Sequence, residues 1–260
     1  MRALPLHYTV HSSADDSGDW VVLLHGLFGS GDNLGALARD LAGSFRVVSA
    51  DLRNHGRSPH AATMTLAEMA ADVTALLDTL DIDAARVVGH SLGGKVAMQL
   101  ALNEPARVAR LVCADIAPVQ YTPHHQGIFA GLQAVDLQGL RQRGDADAIL
   151  ARFVDEVPVR QFLLKSLYRD DAGFHWRFDL SALMANYAEL LAAPSGAAFE
   201  GPTLFIKGGL SDYLLPEYEA AVRALFPHFK VKVIEGTGHW LHGEKPVVFN
   251  KIVRDFLRAE

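Results

Sequence analysis

A serine held between glycines, Gly89-His90-Ser91-Leu92-Gly93, carries the clearest chemical signal in this sequence. The apolar run Arg86-Val87-Val88 precedes it, and residues 94–101 follow with helical spacing. A strand that turns into a helix over so few residues bends sharply, and the serine at the bend takes a strained backbone conformation. The flanking glycines let the helix pack close to the strand. Such a turn lifts Oγ clear of the sheet edge and aims the next backbone N–H, that of Leu92, at whatever the serine attacks. The chemistry is nucleophilic attack. As a bare string the pattern arises by chance in many proteins; strand before and helix after make chance the minority reading.

A serine hydroxyl is a weak nucleophile at neutral pH and needs a base within hydrogen-bond reach. For a serine on such a turn, an acid and then a histidine are expected after later strands. Gly236-Thr237-Gly238-His239-Trp240 follows the last strand-like run, residues 231–234, so His239 is the expected base. The chain has 12 histidines, most of them read as surface residues or local hydrogen-bonders, and His239 is singled out by its place. Two carboxylates compete as its partner. Asp115 ends the run 111–114, and Asp212 lies in the loop after 203–206. That loop is the commoner place for the acid, yet counting from the strand end puts Ser211 there and Asp212 one residue late. Either acid would hold His239 Nδ1–H and stabilise the imidazolium formed in the transition state. Asp115 also reads as a turn cap, and Asp212 as an exposed turn residue. The preference goes to Asp115, with Ser211 as an additional hydrogen-bond partner and Asp212 kept as the alternative.

His25-Gly26-Leu27-Phe28-Gly29-Ser30 follows the strand-like run Trp20–Leu24. A loop in this place supplies a second amide, that of Leu27. The Leu27 and Leu92 N–H groups would then bind the oxyanion of a tetrahedral intermediate, at about 2.7–4 kcal/mol per donor. Gly26 and Gly29 also read simply as turn glycines, and His25 as a structural hydrogen-bonder. Asp51-Leu52-Arg53-Asn54-His55-Gly56-Arg57-Ser58 follows Arg46–Ala50, but Asp51 precedes Ser91 and breaks the expected order. This segment reads as a hydrogen-bonded loop bordering the site, and His55 as a ligand is the weaker reading. Phe28, Trp240 and Phe162 are expected to line an acyl pocket or, equally, to be ordinary core. No cluster has metal-ligand spacing; His124-His125 reads as a solvated turn. No nucleotide-binding glycine loop is present.

These residues must be held by a fold. At 260 residues, half of them hydrophobic and 21% charged, the chain has the composition of one globular domain with a substantial core. A net charge of −6 and a pI near 6.0 argue against nucleic acid as partner. No apolar run approaches the roughly 18–20 residues that span a bilayer. Residues 1–19 lack a secretory signal pattern, and the single cysteine, Cys113, cannot form an internal disulfide, so a reducing, cytoplasmic setting is expected. Cys113 itself reads as a small buried hydrophobe. Strand-like runs at 20–24, 46–50, 86–88, 110–114, 203–206 and 231–234 read as buried parallel strands, with a lower-grade edge strand at 6–10. Amphipathic stretches at 66–77, 217–226 and 246–257 alternate with them, which predicts a mostly parallel, doubly wound α/β sheet. From 118 to 199 the pattern is helical only, at 128–135, 145–153, 160–167 and 181–191. The expectation is a helical cap over 118–199, inserted into a core of 1–117 and 200–260, where open α/β sheets bind ligands.

In order, the motifs His25–Ser30, Asp51–Gly56, Gly89–Lys95, Asp115-Ile116-Ala117-Pro118 and Gly238-His239-Trp240-Leu241-His242-Gly243-Glu244-Lys245-Pro246 resemble the α/β-hydrolase superfamily, in particular the YbfF-type bacterial esterases. The likeness extends from the first core strand to the C-terminus and takes in Gln161–Ser166 and Trp176-Arg177-Phe178. It implies a serine hydrolase without cofactor, acting on small-molecule carboxylic esters and, as a second class, acyl-CoA thioesters. It also implies Ser91 as nucleophile, His239 as base, Asp115 as acid and a serine where Ser211 stands. Lys165, Arg169 and Arg177 would meet CoA phosphates, or form a solvated face. The rival readings are a carbon–carbon hydrolase, a haloperoxidase-like enzyme, or a ligand-binding protein on the same fold. A dehalogenase is disfavoured, since it would want aspartate at position 91.

Overall fold

The computed structural model describes residues 3–12 and 19–259. The parts of the core assignment at 1–2, 13–18 and 260 lie outside the described residues. Strands β1 (Tyr8–His11), β2 (Trp20–Leu24), β3 (Arg46–Ala50), β4 (Ala85–His90) and β5 (Val108–Ala114) come first. The short strands β6 (Leu167–Asp170) and β7 (Gly173–Trp176) follow, then β8 (Thr203–Gly208) and β9 (Phe229–Ile234). Between them run helices α1 (Gly35–Leu41), α2 (Leu66–Thr79), α3 (Leu92–Asn103), α4 (Gln126–Ala134), α5 (Arg143–Leu150) and α6 (Val157–Lys165). The rest are α7 (Leu180–Ala185), α8 (Tyr187–Leu191), α9 (Glu219–Leu225), α10 (Leu241–Glu244) and α11 (Pro246–Arg258).

One seven-stranded sheet has the order β1-β3-β2-β4-β5-β8-β9, antiparallel only where β1 meets β3. Helices cover both faces. On one face α1 and α11 bury Leu37, Leu41, Phe249, Val253 and Leu257; on the other α2 and α3 bury Val73, Leu77, Val96 and Leu100. The α11 pattern places Phe249, Val253 and Leu257 on a single stripe, each worth about 1.5–3 kcal/mol of burial. Proline at its first turn starts this helix without sacrificing a hydrogen bond. Thr65 and Glu68 close a reciprocal box at the start of α2: Glu68 N–H donates to Thr65 Oγ1 at 3.2 Å, and Thr65 N–H to Glu68 Oε2 at 2.9 Å.

Three expectations need correction. The run 231–234 is not a buried strand: β9 is the sheet's outer edge, and Val231 and Val233 are 45% and 46% exposed. The 118–199 segment is not purely helical, because β6 and β7 form an antiparallel hairpin, and the start of β6 at Leu167 ends the expected helix 160–167 at Lys165. The stretch 181–191 is broken into α7 and α8 at Asn186. That side chain accepts from Met64 N–H (3.1 Å) and donates to Ala62 O and Ala182 O (2.9 Å each), pinning the segment to the 62–64 loop. Among the described residues no helix is long and apolar enough to cross a membrane.

Because β2 to β5, β8 and β9 all run parallel, their C-terminal ends share one edge of the sheet. The loops leaving that edge carry His25–Phe28, Asp51–Ser58, Ser91, Asp115, Ser211–Tyr213 and Thr237–Trp240. The 118–199 elements stand beside this edge, with α8 tied to α3.

Candidate active site

Ser91 sits between β4 and α3 with φ 53° and ψ −118°, a left-handed conformation that L-residues adopt only under constraint. The constraint is close packing on both sides. A Cβ on Gly89 would come within 2.2 Å of Gly93 O, and one on Gly93 within 2.2 Å of Leu24 O. The glycine spacing around the serine thus follows from contact between α3 and the neighbouring strands. As the first residue of α3, Leu92 presents an N–H that the helix itself leaves unpaired.

Ser91, His239 and Asp115, far apart in sequence, form one hydrogen-bonded chain. Ser91 Oγ lies 2.9 Å from His239 Nε2, and His239 Nδ1 lies 2.7 Å from Asp115 Oδ2. Asp115 is fully buried, with φ 52° directly after β5. Its Oδ1 accepts Gly208 N–H at 2.9 Å, and its Oδ2 also accepts the Ser211 hydroxyl. These donors offset the desolvation of a carboxylate held away from water. Asp212, the alternative acid, is exposed, whereas Ser211 is buried beside Asp115. His90, on the other side, donates Nε2–H to His239 O at 2.8 Å; burial holds its pKa well below the ordinary histidine value. It is therefore a neutral donor.

The Leu27 amide is fixed from both flanks. Gly26 C=O and Leu27 N–H belong to one planar trans peptide and point oppositely. Gly26 O accepts His25 Nδ1–H at 2.8 Å and Gly29 N–H at 3.1 Å, which sets the direction of the Leu27 N–H. The following peptide is held by Phe28 N–H donating to His55 Nε2 at 3.2 Å. His55 Nδ1–H in turn donates to Arg53 O (2.9 Å), and His25 Nε2 accepts Leu52 N–H (3.0 Å). Both imidazoles are fully buried; desolvation lowers the His25 pKa and pushes that of His55 down to about 3. Neither histidine faces a metal position, and the 51–58 loop is a hydrogen-bonded wall, with Arg53 bidentate on Asp72 at 2.7 and 2.8 Å.

A cavity of about 580 Å3 opens over Ser91, lined by Leu27, Phe28, Phe162 and Trp240 among others. Phe28 also packs edge-on against Phe129 and Phe178, so it serves wall and core at once. A recess of about 30 Å3 continues below Ser91 past Leu27, Leu92 and Ile116 to Lys95. Lys95, one turn after Ser91 in α3, is buried and donates to the α8 terminal carbonyls Leu191 O (2.7 Å) and Ala192 O (2.6 Å). Burial pushes its ammonium down to about 7.

His124 and His125 add something the solvated-turn reading left out: both line this cavity's wall, His124 exposed and His125 half-buried. His125 Nδ1 bonds Tyr187 Oη at 2.7 Å, His124 Nε2 bonds Tyr213 Oη at 2.5 Å, and burial pushes the His125 pKa down to about 3. The signal for them was the aromatic company of Tyr121, Tyr187 and Tyr213, which only the fold assembles. Lys165, Arg169 and Arg177 do not line the cavity over Ser91. Cys113 is fully buried inside β5, where burial pushes its thiol pKa up. Among the described residues no group of His, Cys, Asp and Glu is placed to hold a metal ion.

Comparison with known proteins gives a consistent picture. A family described as "alpha/beta hydrolase fold" matches residues 19–246. The protein called Esterase YbfF from Escherichia coli (strain K12) is 41% identical over 238 residues, covering 91% of this chain and 92% of that one. The "sn-1-specific diacylglycerol lipase ABHD11" of Mus musculus is 39% identical over 266 residues, covering 99% and 86%. Among solved structures, one titled "Marine microorganism esterase" superposes with a TM-score of 0.94 at 34% identity, over 98% of this chain and all of that one.

Proposed function

This chain belongs to the α/β-hydrolase fold family and is an ester-hydrolysing enzyme of its esterase and lipase type, and from that premise we propose that it cleaves carboxylic esters through an acyl-serine at Ser91. The observation that carries the reading is the unbroken chain Ser91–His239–Asp115, at 2.9 and 2.7 Å. Ser91 Oγ attacks the ester carbonyl while His239 Nε2 takes its proton, and Asp115 steadies the imidazolium. The oxyanion forms against the amides of Leu27 and Leu92. His239 then protonates the departing alcohol, and water attacks the acyl-enzyme by the same route in reverse order of roles.

We assign residues 118–199 as a cap over the site, since α4, α6 and the turn at His124-His125 contribute Gly127, Phe162 and both histidines to the cavity wall. The cavity suits an ester with an uncharged leaving group, because Lys165, Arg169 and Arg177 do not line it. The lipase name of the mouse relative extends the expected substrates to glycerol esters, whose acyl and glyceryl parts an apolar-lined space of about 580 Å3 accommodates. Thioester cleavage is the subsidiary activity. Ser91→Ala is expected to abolish turnover of a p-nitrophenyl ester and labelling by a fluorophosphonate, with the circular dichroism spectrum unchanged. Retained turnover or labelling in that variant sinks the assignment. A parallel assay with the matching acyl-CoA is expected to give the lower kcat/KM.

A further inference from the structure

A second cavity, of about 240 Å3, opens on the face of the β1–β3 pair that α1 borders, and it shares no lining residue with the cavity over Ser91. Its wall is polar. Arg39 from α1, Arg57 from the loop after β3 and Arg177 all line it. Among the described residues the Arg39 and Arg57 guanidinium groups have no carboxylate partner, and Arg177 has only the exposed Asp32, 4.0 Å away. At its floor lies Ser49, 4% exposed, whose Oγ has no hydrogen-bond partner. A buried hydroxyl without a partner is unfavourable and is usually explained by a ligand or a solvent molecule.

The second carboxylate in the wall, Asp51, is already engaged: it accepts Gly31 N–H (2.7 Å) and Arg57 N–H (2.9 Å) and meets His7 Nδ1 at 3.2 Å. The wall thus offers the positive charge of three arginines, Arg39 and Arg57 exposed and Arg177 half-buried, together with the unpartnered Ser49 hydroxyl. Burial and, after it, the Arg39 charge lower the pKa of His11, while Asp32 acts in the opposite direction. A planar carboxylate can be saturated by one guanidinium fork, whereas a tetrahedral phosphate presents oxygens to several donors at once.

We propose that this cavity binds the phosphate group of a small phosphorylated compound, held by Arg39, Arg57 and Arg177 with the Ser49 hydroxyl at its floor. The volume leaves room for a short organic remainder beyond the phosphate. The site is separate from ester hydrolysis, so its test stands independently of the role of Ser91.

The full-length protein is titrated with inorganic phosphate and, separately, with ribose 5-phosphate, and the imidazole resonances of His7 and His11 are followed. Saturable shifts are expected at millimolar concentration. Tighter binding of ribose 5-phosphate identifies an organic phosphate as the ligand, and equal binding identifies free phosphate. The Arg39→Ala/Arg57→Ala variant is expected to bind about tenfold more weakly or worse, and Ser49→Ala severalfold more weakly. Hydrolysis of a p-nitrophenyl ester stays at the parent level in the arginine variant, which checks that it is folded. No saturable shift with either probe, or parent-like affinity in the double arginine variant, overturns the proposal.

Discussion

The ring of Tyr213 lies on the imidazole of His239, with centroids 3.8 Å apart and planes 18° from parallel. The phenol is anchored from the 118–199 segment: its Oη bonds His124, and its backbone oxygen accepts the Tyr121 hydroxyl. The imidazole is therefore fixed at both nitrogens and across one face. Replacing Tyr213 by alanine is expected to lower kcat by about ten- to a hundredfold through lost orientation, with little change in KM. Tyr213→Phe keeps the stacking and should lose much less. Equal losses in the two variants would assign the effect to the hydroxyl instead of the ring.

Asp115→Asn is expected to reduce kcat on the order of 10⁴-fold, since an amide cannot hold the imidazole tautomer or balance its charge. Asp212→Asn, on an exposed residue, should leave turnover within twofold of the parent. Steady-state kinetics on one chromogenic ester separates the two carboxylates, and the reverse ranking would transfer the acid role to Asp212.

His55→Ala removes the acceptor of the Phe28 amide and frees the peptide that follows Leu27. The expected loss is about ten- to a hundredfold in kcat, below that for deleting an oxyanion donor outright. Affinity for a boronic acid, which mimics the tetrahedral state, should fall in parallel while KM holds. His55→Gln can accept from Phe28 and donate to Arg53 O, and it should recover part of both losses.

Acid should destabilise the fold before it strips the protein of structure. His55 is buried and His125 and His242 are half-buried, and desolvation pushes all three down to about 3. Each folded value lies below the ordinary 6.5, so the unfolded chain binds protons first as pH falls. Their contribution is complete above about pH 6.5 and is lost progressively from there toward pH 3. At pH 5 each histidine costs roughly 2 kcal/mol. Urea midpoints measured from pH 8 to pH 4.5 should fall steadily below pH 6.5; a flat profile contradicts neutral burial of these rings.

Gly93→Ala places a methyl within 2.2 Å of Leu24 O, a backbone atom that cannot swing aside. The expected destabilisation is about 3 kcal/mol or more, read as a lowered thermal midpoint together with loss of activity.

Much of this site was legible because the sheet orders it. Ser91 was marked by glycines whose spacing reflects contacts of α3 with β2 and β4, and His239 by its place after the last strand. Counting residues from the end of β8 located Ser211 and so favoured Asp115 over Asp212 at the imidazole, as the 2.7 Å contact has it. What local pattern could not give was pairing across long separations. His124 and His125 are polar neighbours in sequence and become wall residues only because Tyr187 and Tyr213 arrive from elsewhere in the chain. The hairpin β6–β7 was hidden by its four-residue strands, too short to show alternation against the helical pattern ahead of it. Valines in β9 misled because β-branched residues also suit an exposed edge.

Lys95 joins two parts of the molecule that sequence keeps nearly a hundred residues apart. Its helix begins directly after Ser91, and its ammonium holds the last carbonyls of α8. Anyone exchanging residues 118–199 for the matching segment of another hydrolase would be exchanging a partner of this lysine as well. A graft that fails to return two carbonyls to that spot leaves a stranded charge in the serine's own helix. The interchangeable unit for engineering new specificity is therefore the segment together with position 95.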